Sequence, residues 1–121
     1  RLIDPVATGI VTPKRPGYHL AYSGDSAPCE GLRFLAQNAD YFLCEATYSR
    51  TEKALAQEKA HMTSEMAAEL ARECQVKTLV LCHFSTRYND LSILLQEAQK
   101  FFPNTLIATD LYTIELKPKD N

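Results

Sequence analysis

Five side chains able to bind metal or move a proton lie at the ends of, or between, apolar runs. Asp25 follows the run His19–Ser23, Glu45 closes Tyr41–Glu45, His83 follows Thr78–Cys82, and Asp110 follows Leu106–Thr109. His61 stands just before a helical pattern that opens at Thr63 or Ser64. Aspartate and histidine suit zinc or a similar divalent ion. A carboxylate can bridge two such ions, and a two-metal centre suits phosphodiester hydrolysis. Taken singly, each residue has a plainer reading. An Asp after a Gly caps a turn, and a His after a strand sits satisfied in a loop. Asp25, His61 and His83 occurring together favour chemistry, whereas Asp110 fits a turn or cap better. The chain has three histidines, His19, His61 and His83, with no His-x-His or His-x-x-x-His pair. His19 opens a strand at the far edge and reads as structural. Asp25 and His83 supply only two ligands where a dinuclear site needs roughly four donors per ion, so the remaining ligands are expected from outside this chain.

The elements that must position these groups alternate. His19–Ser23, Tyr41–Glu45 and Thr78–Cys82 read as strands. Pro28–Asn38 reads as a helix with proline in its first turn. Ser49–Lys59 is polar and partly helical. The helix after Thr63 or Ser64 places Met66, Ala67, Leu70, Ala71 and Cys74 on one face, with Glu65 in the first turn. Asn89 or Asp90 caps a third helix carrying Leu91, Leu94, Leu95, Ala98, Phe101 and Phe102 on one stripe. Leu106–Thr109 and Tyr112–Leu116 read as final strands. Wholly apolar strands separated by helices predict an α/β fold with a parallel sheet. In such a sheet the carboxyl ends share one edge, where ligand sites form. Crossovers are right-handed, so three helices cover one face. A strand as apolar as Thr78–Cys82 needs both faces buried, which predicts a second layer or partner half. The chain reads as one segment, 1–121, with a loop-rich lead-in over 1–18 and a tail over 117–121.

Bulk properties restrict the function classes. Hydrophobic residues are 45% and the formal net charge is -2, so a core can form but no broad basic surface is available to hold nucleic acid. Attraction to RNA would have to come from local Lys/Arg clusters, metal ions or further parts of the protein. The four cysteines, Cys29, Cys44, Cys74 and Cys82, form no Cys-x-x-Cys pair and read as free thiols in a reducing, cytoplasmic setting. No apolar run reaches the ~20 residues that span a bilayer. A self-contained flavodoxin-like or receiver-like domain would explain the strand-end Asp residues but not His61 and His83, and there is no glycine-rich phosphate loop.

The ordered motifs Ser23–Glu30 (SGDSAPCE), Cys44–Thr47 (CEAT), Ala60–Thr63 (AHMT) and Cys82–Tyr88 (CHFSTRY) resemble the second half of ribonuclease Z, in the metallo-β-lactamase superfamily. His83–Tyr88 is the stretch most particular to ribonuclease Z. The resemblance runs from about Pro13 to Leu116. It implies the C-terminal half of a four-layer αβ/βα sandwich. It implies endonucleolytic removal of the 3′ trailer from precursor tRNA by a hydroxide activated between two zinc ions. Under it, Asp25 bridges both zincs, His83 binds one, His61 donates a proton to the leaving 3′ oxygen, and Glu45 orients His61. Ser85 and Arg87 are candidates for substrate phosphate, though Arg87 suits a structural ion pair equally well. The implied partners are precursor tRNA or another phosphodiester, the N-terminal half of the same fold, and a second copy in a homodimer, with no membrane. Family members often have His where this chain has Cys44, and Ser where it has Met62; the latter is expected to alter fine positioning. The His-x-His-x-Asp-His motif and the tRNA-gripping arm are not in these 121 residues, so the segment alone is expected to be inactive. Two other readings stand beside this one: a related hydrolase of small phosphodiesters or other esters, and a non-catalytic scaffold derived from such an enzyme.

Overall fold

The computed structural model describes residues 16–119. The lead-in expected over 1–18 falls mostly outside them, as do the last two residues of the expected tail. Four parallel strands form one sheet in the order β1 (Leu20–Tyr22), β2 (Tyr41–Glu45), β3 (Thr78–Cys82), β4 (Thr105–Ile107). Spatial order equals sequence order, so every crossover steps the same way. Right-handed crossovers then stack the helices on one face. These are α1 (Glu30–Ala36), α3 (Ser64–Glu73) and α4 (Ser92–Phe101). A 3₁₀ turn, Arg50–Glu52, and a short helix α2 (Lys53–Glu58) complete the expected partly helical stretch.

The core forms between that helical layer and the sheet. Fully buried Ala36, Ala67, Ala68, Ala71 and Ala98 cluster with Phe42, Leu79 and Leu81 of the strands. Alanine on the helices leaves room for the large strand residues, and interiors tolerate few voids. Helix α3 starts as its residues dictate. The Thr63 side chain accepts the Met66 N–H at 3.1 Å, and Glu65 meets the positive helix end.

Other boundaries differ from expectation for local reasons. Helix α1 begins at Glu30 because Pro28 and an extended Cys29 lie outside it, and Asn38 then adopts φ 58° to leave the helix. Helix α4 begins at Ser92, with Leu91 in the cap position. Asp90 stands one residue earlier, where its carboxylate accepts the Ser92 N–H at 2.9 Å. That bond draws the Asp90 carboxyl below its usual range. Strand β4 is Thr105–Ile107 rather than Leu106–Thr109, because only that stretch pairs with Leu79–Leu81.

Tyr112–Leu116 is not a strand. A turn closed by Tyr112 N–H on Thr109 C=O, with Leu111 at φ 64°, carries the chain over the second face of the sheet instead of along its edge. Tyr112, Ile114 and Leu116 line a cavity of about 230 Å³ opposite Leu20, Tyr41, Leu43 and Val80. The period-two alternation that reads as a strand is satisfied by apolar contact alone. Among the described residues the cover is partial: Leu20 is 55% and Tyr22 63% exposed.

This segment is fastened at the amino edge of the sheet. Tyr18 Oη donates to Lys117 C=O at 2.6 Å, and Lys119 Nζ reaches Asp40 Oδ1 at 2.8 Å. Asp40 also pairs with Lys77 at 3.0 Å and accepts the His19 N–H at 2.8 Å. Lys119, the His19 N–H and Lys77 hold the Asp40 carboxyl well below the usual carboxylate range. A depressed carboxyl stabilises the fold above its ordinary value of 3.8, and loses that contribution as pH falls through its folded value. Asp40→Asn should therefore destabilise by about 1 kcal/mol at pH 7. The gap to wild type should close as urea titrations are repeated at pH values progressively below 4.

Candidate active site

The carboxyl edge of the sheet gathers the reactive residues. Glu45 pairs in register with Cys82, so the exits of β2 and β3 lie side by side. The two chains stay together beyond the strands: Ala46 N–H bonds Cys82 C=O at 2.9 Å and Ser85 N–H bonds Thr47 C=O at 3.0 Å. His61 arrives from the other side. Helix α2 ends with Ala60 at φ 56°, and His61 N–H closes on Ala56 C=O at 2.9 Å. Tyr48 and Thr63 then form a parallel bridge, with Ser64 N–H on Tyr48 C=O at 3.0 Å. That bridge sets the His61 segment alongside the exit of β2. Glu97 of α4 braces it, accepting from Ser64 Oγ at 2.8 Å and from Arg50 N–H at 3.0 Å.

Glu45 is the centre of the arrangement, with its side chain 1% exposed. Burying a carboxylate costs several kcal/mol unless donors replace water. Here the Ser26 N–H donates at 2.6 Å, Thr47 Oγ1 donates to Oε2, and His61 Nδ1 lies 2.9 Å from Oε2 and 3.1 Å from Oε1. The Ser23 hydroxyl accepts the Glu45 N–H at 3.0 Å, tying in the loop that carries Asp25.

His83 leaves β3 with φ 56°, in the left-handed region. Its Nδ1 lies 3.0 Å from Thr47 Oγ1 and 3.5 Å from Asp25 Oδ1. Its ring stacks on His61, with centroids 5.8 Å apart and planes 24° apart. Glu45, His61 and His83 each bring a ligand-type atom within 4.8 Å of the others. The donors around Glu45 already occupy both of its oxygens, so it serves as an acceptor for its neighbours. The side chains of Asp25 and His83 are each about half exposed.

Of the residues singled out by sequence, Asp25, Glu45, His61 and His83 converge on this edge. Asp110 lies in the exposed turn after β4, in keeping with a turn role. His19 sits at the opposite edge, its N–H on Asp40. Arg87 stands over the Tyr48 ring at 5.2 Å and pairs with Glu52 at 3.4 Å. The Tyr48 ring edge in turn meets His61, centroids 6.1 Å apart. Ser85 Oγ accepts the Arg87 N–H at 3.3 Å. Met62 does not face this edge. It is fully buried in the core, where Cys44 Sγ donates to its Sδ at 3.5 Å. Thr47 and Ser26 also belong to the arrangement; both lie within the ordered motifs, but nothing in their residue types announces that they donate to Glu45.

A sequence profile of the Beta-lactamase superfamily domain matches residues 4–84, and the chain belongs to that superfamily. Over its whole length it is 43% identical to a ribonuclease Z of Synechococcus sp. (strain CC9902), and it spans 39% of that protein. Among solved structures, human tRNase Z, short form, matches with a TM-score of 0.61 at 31% identity, over 78% of this chain and 32% of that one. The metallo-beta-lactamase fold protein YhfI from Bacillus subtilis matches with a TM-score of 0.66 at 24% identity, over 74% of this chain and 36% of that one, a likeness of fold. Among the described residues, no helix is long and apolar enough to cross a membrane.

All four cysteines are free thiols. Burial pushes the Cys44 and Cys74 thiols up, whereas Cys29 is exposed. Iodoacetamide at pH 8 should modify Cys29 within minutes and Cys44 only on unfolding, as read by peptide mass spectrometry. Equal rates at both would contradict the packing of Cys44 against Met62.

Proposed function

We propose that this chain forms the C-terminal part of a metal-dependent phosphodiesterase of the ribonuclease Z kind, acting on the 3′ trailer of precursor tRNA. The observation that carries the reading is the buried Glu45 holding His61 by Nδ1 on the rim that also bears Asp25 and His83. Both imidazoles use Nδ1 within the protein, so Nε2 is the nitrogen each turns outward.

Asp25 stands beside the His83 ring, its Oδ1 3.5 Å from Nδ1, and a carboxylate next to an imidazole is a donor set suited to zinc. Asp25 and His83 are the residues that would hold it, the other ligands coming from the N-terminal half of the fold. When bound, the ions supply charge neutralisation at phosphate and an activated water. As the imidazolium, His61 gives its Nε2 proton to the leaving 3′ oxygen and keeps the Nδ1 hydrogen on Glu45, which holds the ring from turning. Ser85 and Arg87, on the loop beyond His83, contact phosphate; Arg87 exchanges Glu52 for that anion. The similarity to ribonuclease Z further supports, as part of this proposal, a homodimer working in the cytoplasm.

In the full-length protein, His61→Ala should lower the cleavage rate of a precursor tRNA by about 10²–10⁴-fold with zinc content unchanged. An unaltered rate would remove His61 from the chemistry. Cleavage of small phosphodiesters but not precursor tRNA by the wild type would point to the related hydrolase, and a folded, metal-free, inert wild type to a scaffold.

A further inference from the structure

The hydroxyl of Thr47 occupies a position that the proposed roles do not use. It is buried, donates to Glu45 Oε2, and lies 3.0 Å from His83 Nδ1 and 3.5 Å from His61 Nδ1. A hydroxyl has one proton to give. Glu45 as a carboxylate can only accept, so that proton belongs to Glu45. Its 3.5 Å approach to the His83 C=O is too long to compete for that proton, so towards His83 Nδ1 the Thr47 oxygen can only accept, and Nδ1 must carry the hydrogen. The other group near His83 Nδ1, Asp25 Oδ1 at 3.5 Å, is also an acceptor. His61 Nδ1, facing both Glu45 oxygens, must carry its hydrogen too. One hydrogen-bonded chain thus runs from His83 through Thr47 to Glu45, with His61 joining at the same carboxylate.

We infer that Thr47 is a positioning residue that fixes the tautomer of His83, leaving Nε2 as the bare nitrogen on the rim. This rests on the phosphodiesterase reading only for its consequence, since a metal ligand needs an imidazole nitrogen without a proton. The role becomes more demanding once Asp25 is committed to an ion, because Thr47 is then the acceptor left for His83 Nδ1. Thr47 also couples the two halves of the site. The hydroxyl that orients the ligand His83 is bonded to the carboxylate that orients His61, so rotation of either ring strains the other.

The test uses the full-length protein. Long-range ¹H–¹⁵N spectra of the metal-free wild type, well above neutral pH, should show His83 and His61 as Nδ1–H tautomers. An Nε2–H tautomer at His83 overturns the inference without any variant. Thr47→Val keeps the shape and removes the hydroxyl; Thr47→Ser keeps the hydroxyl. The Val variant should bind zinc about 10–100-fold more weakly and lose kcat on precursor tRNA with KM little changed. The Ser variant should stay within a few-fold of wild type on both. Equal zinc affinity in Val and wild type, or an equal loss in Ser and Val, overturns it. Should the wild type leave precursor tRNA uncut, the functional reading fails, while the tautomer and zinc measurements still decide the role of Thr47.

Discussion

A carboxylate sealed from water sits at the centre of this half-fold, and the rim beside it is arranged to satisfy its lone pairs. Glu45 cannot stay ionised in a dry interior unless several donors converge on it. Its donors come from three connections: Ser26 from the loop after β1, Thr47 from the exit of β2, and His61 from the link between α2 and α3. Charge-assisted bonds are short and directional, so one buried group fixes three loops relative to one another. Loops that would otherwise wander are thereby held in one arrangement.

The sheet supplies what those bonds need. Parallel pairing places Glu45 against Cys82, and the next residue, His83, follows on the same rim in a left-handed turn. Alanine-rich helices set close against Phe42, Leu79 and Leu81 make that register rigid. The rim is closed on the Glu45 side and open on the Asp25–His83 side. That asymmetry leaves the Glu45 side chain 1% exposed and committed to its neighbours, while the Asp25 and His83 side chains are about half exposed to solvent.

Much of this could be read from residue order. The strands Tyr41–Glu45 and Thr78–Cys82 have the expected limits, because continuous apolar runs ending in a charged or polar group leave little choice of boundary. Asp25, Glu45, His61 and His83 could be found because strand ends of a parallel sheet share an edge. Tyr112–Leu116 was misread because alternation reports which side is buried and not what buries it; a sheet face satisfies it as well as a strand neighbour does. Thr47 was passed over because a threonine declares no chemistry. Its importance comes from Glu45, His61 and His83 all lying around one oxygen, and that is a fact of three dimensions.

The sulfur contact between Cys44 and Met62 bears on how such motifs should be compared. Cys44 adjoins Glu45, and Met62 adjoins His61, yet strand and loop geometry turn both sulfurs into the oily interior and their neighbours towards the rim. Variation at the two sulfur sites is therefore a matter of volume and shape, exchanged between two touching partners. An imidazole placed at Cys44 while Met62 stayed would press a polar ring against a thioether with no water at hand. Residues that stand next to each other in the chain can thus answer to different demands, and a change of shape at either sulfur is felt at the other.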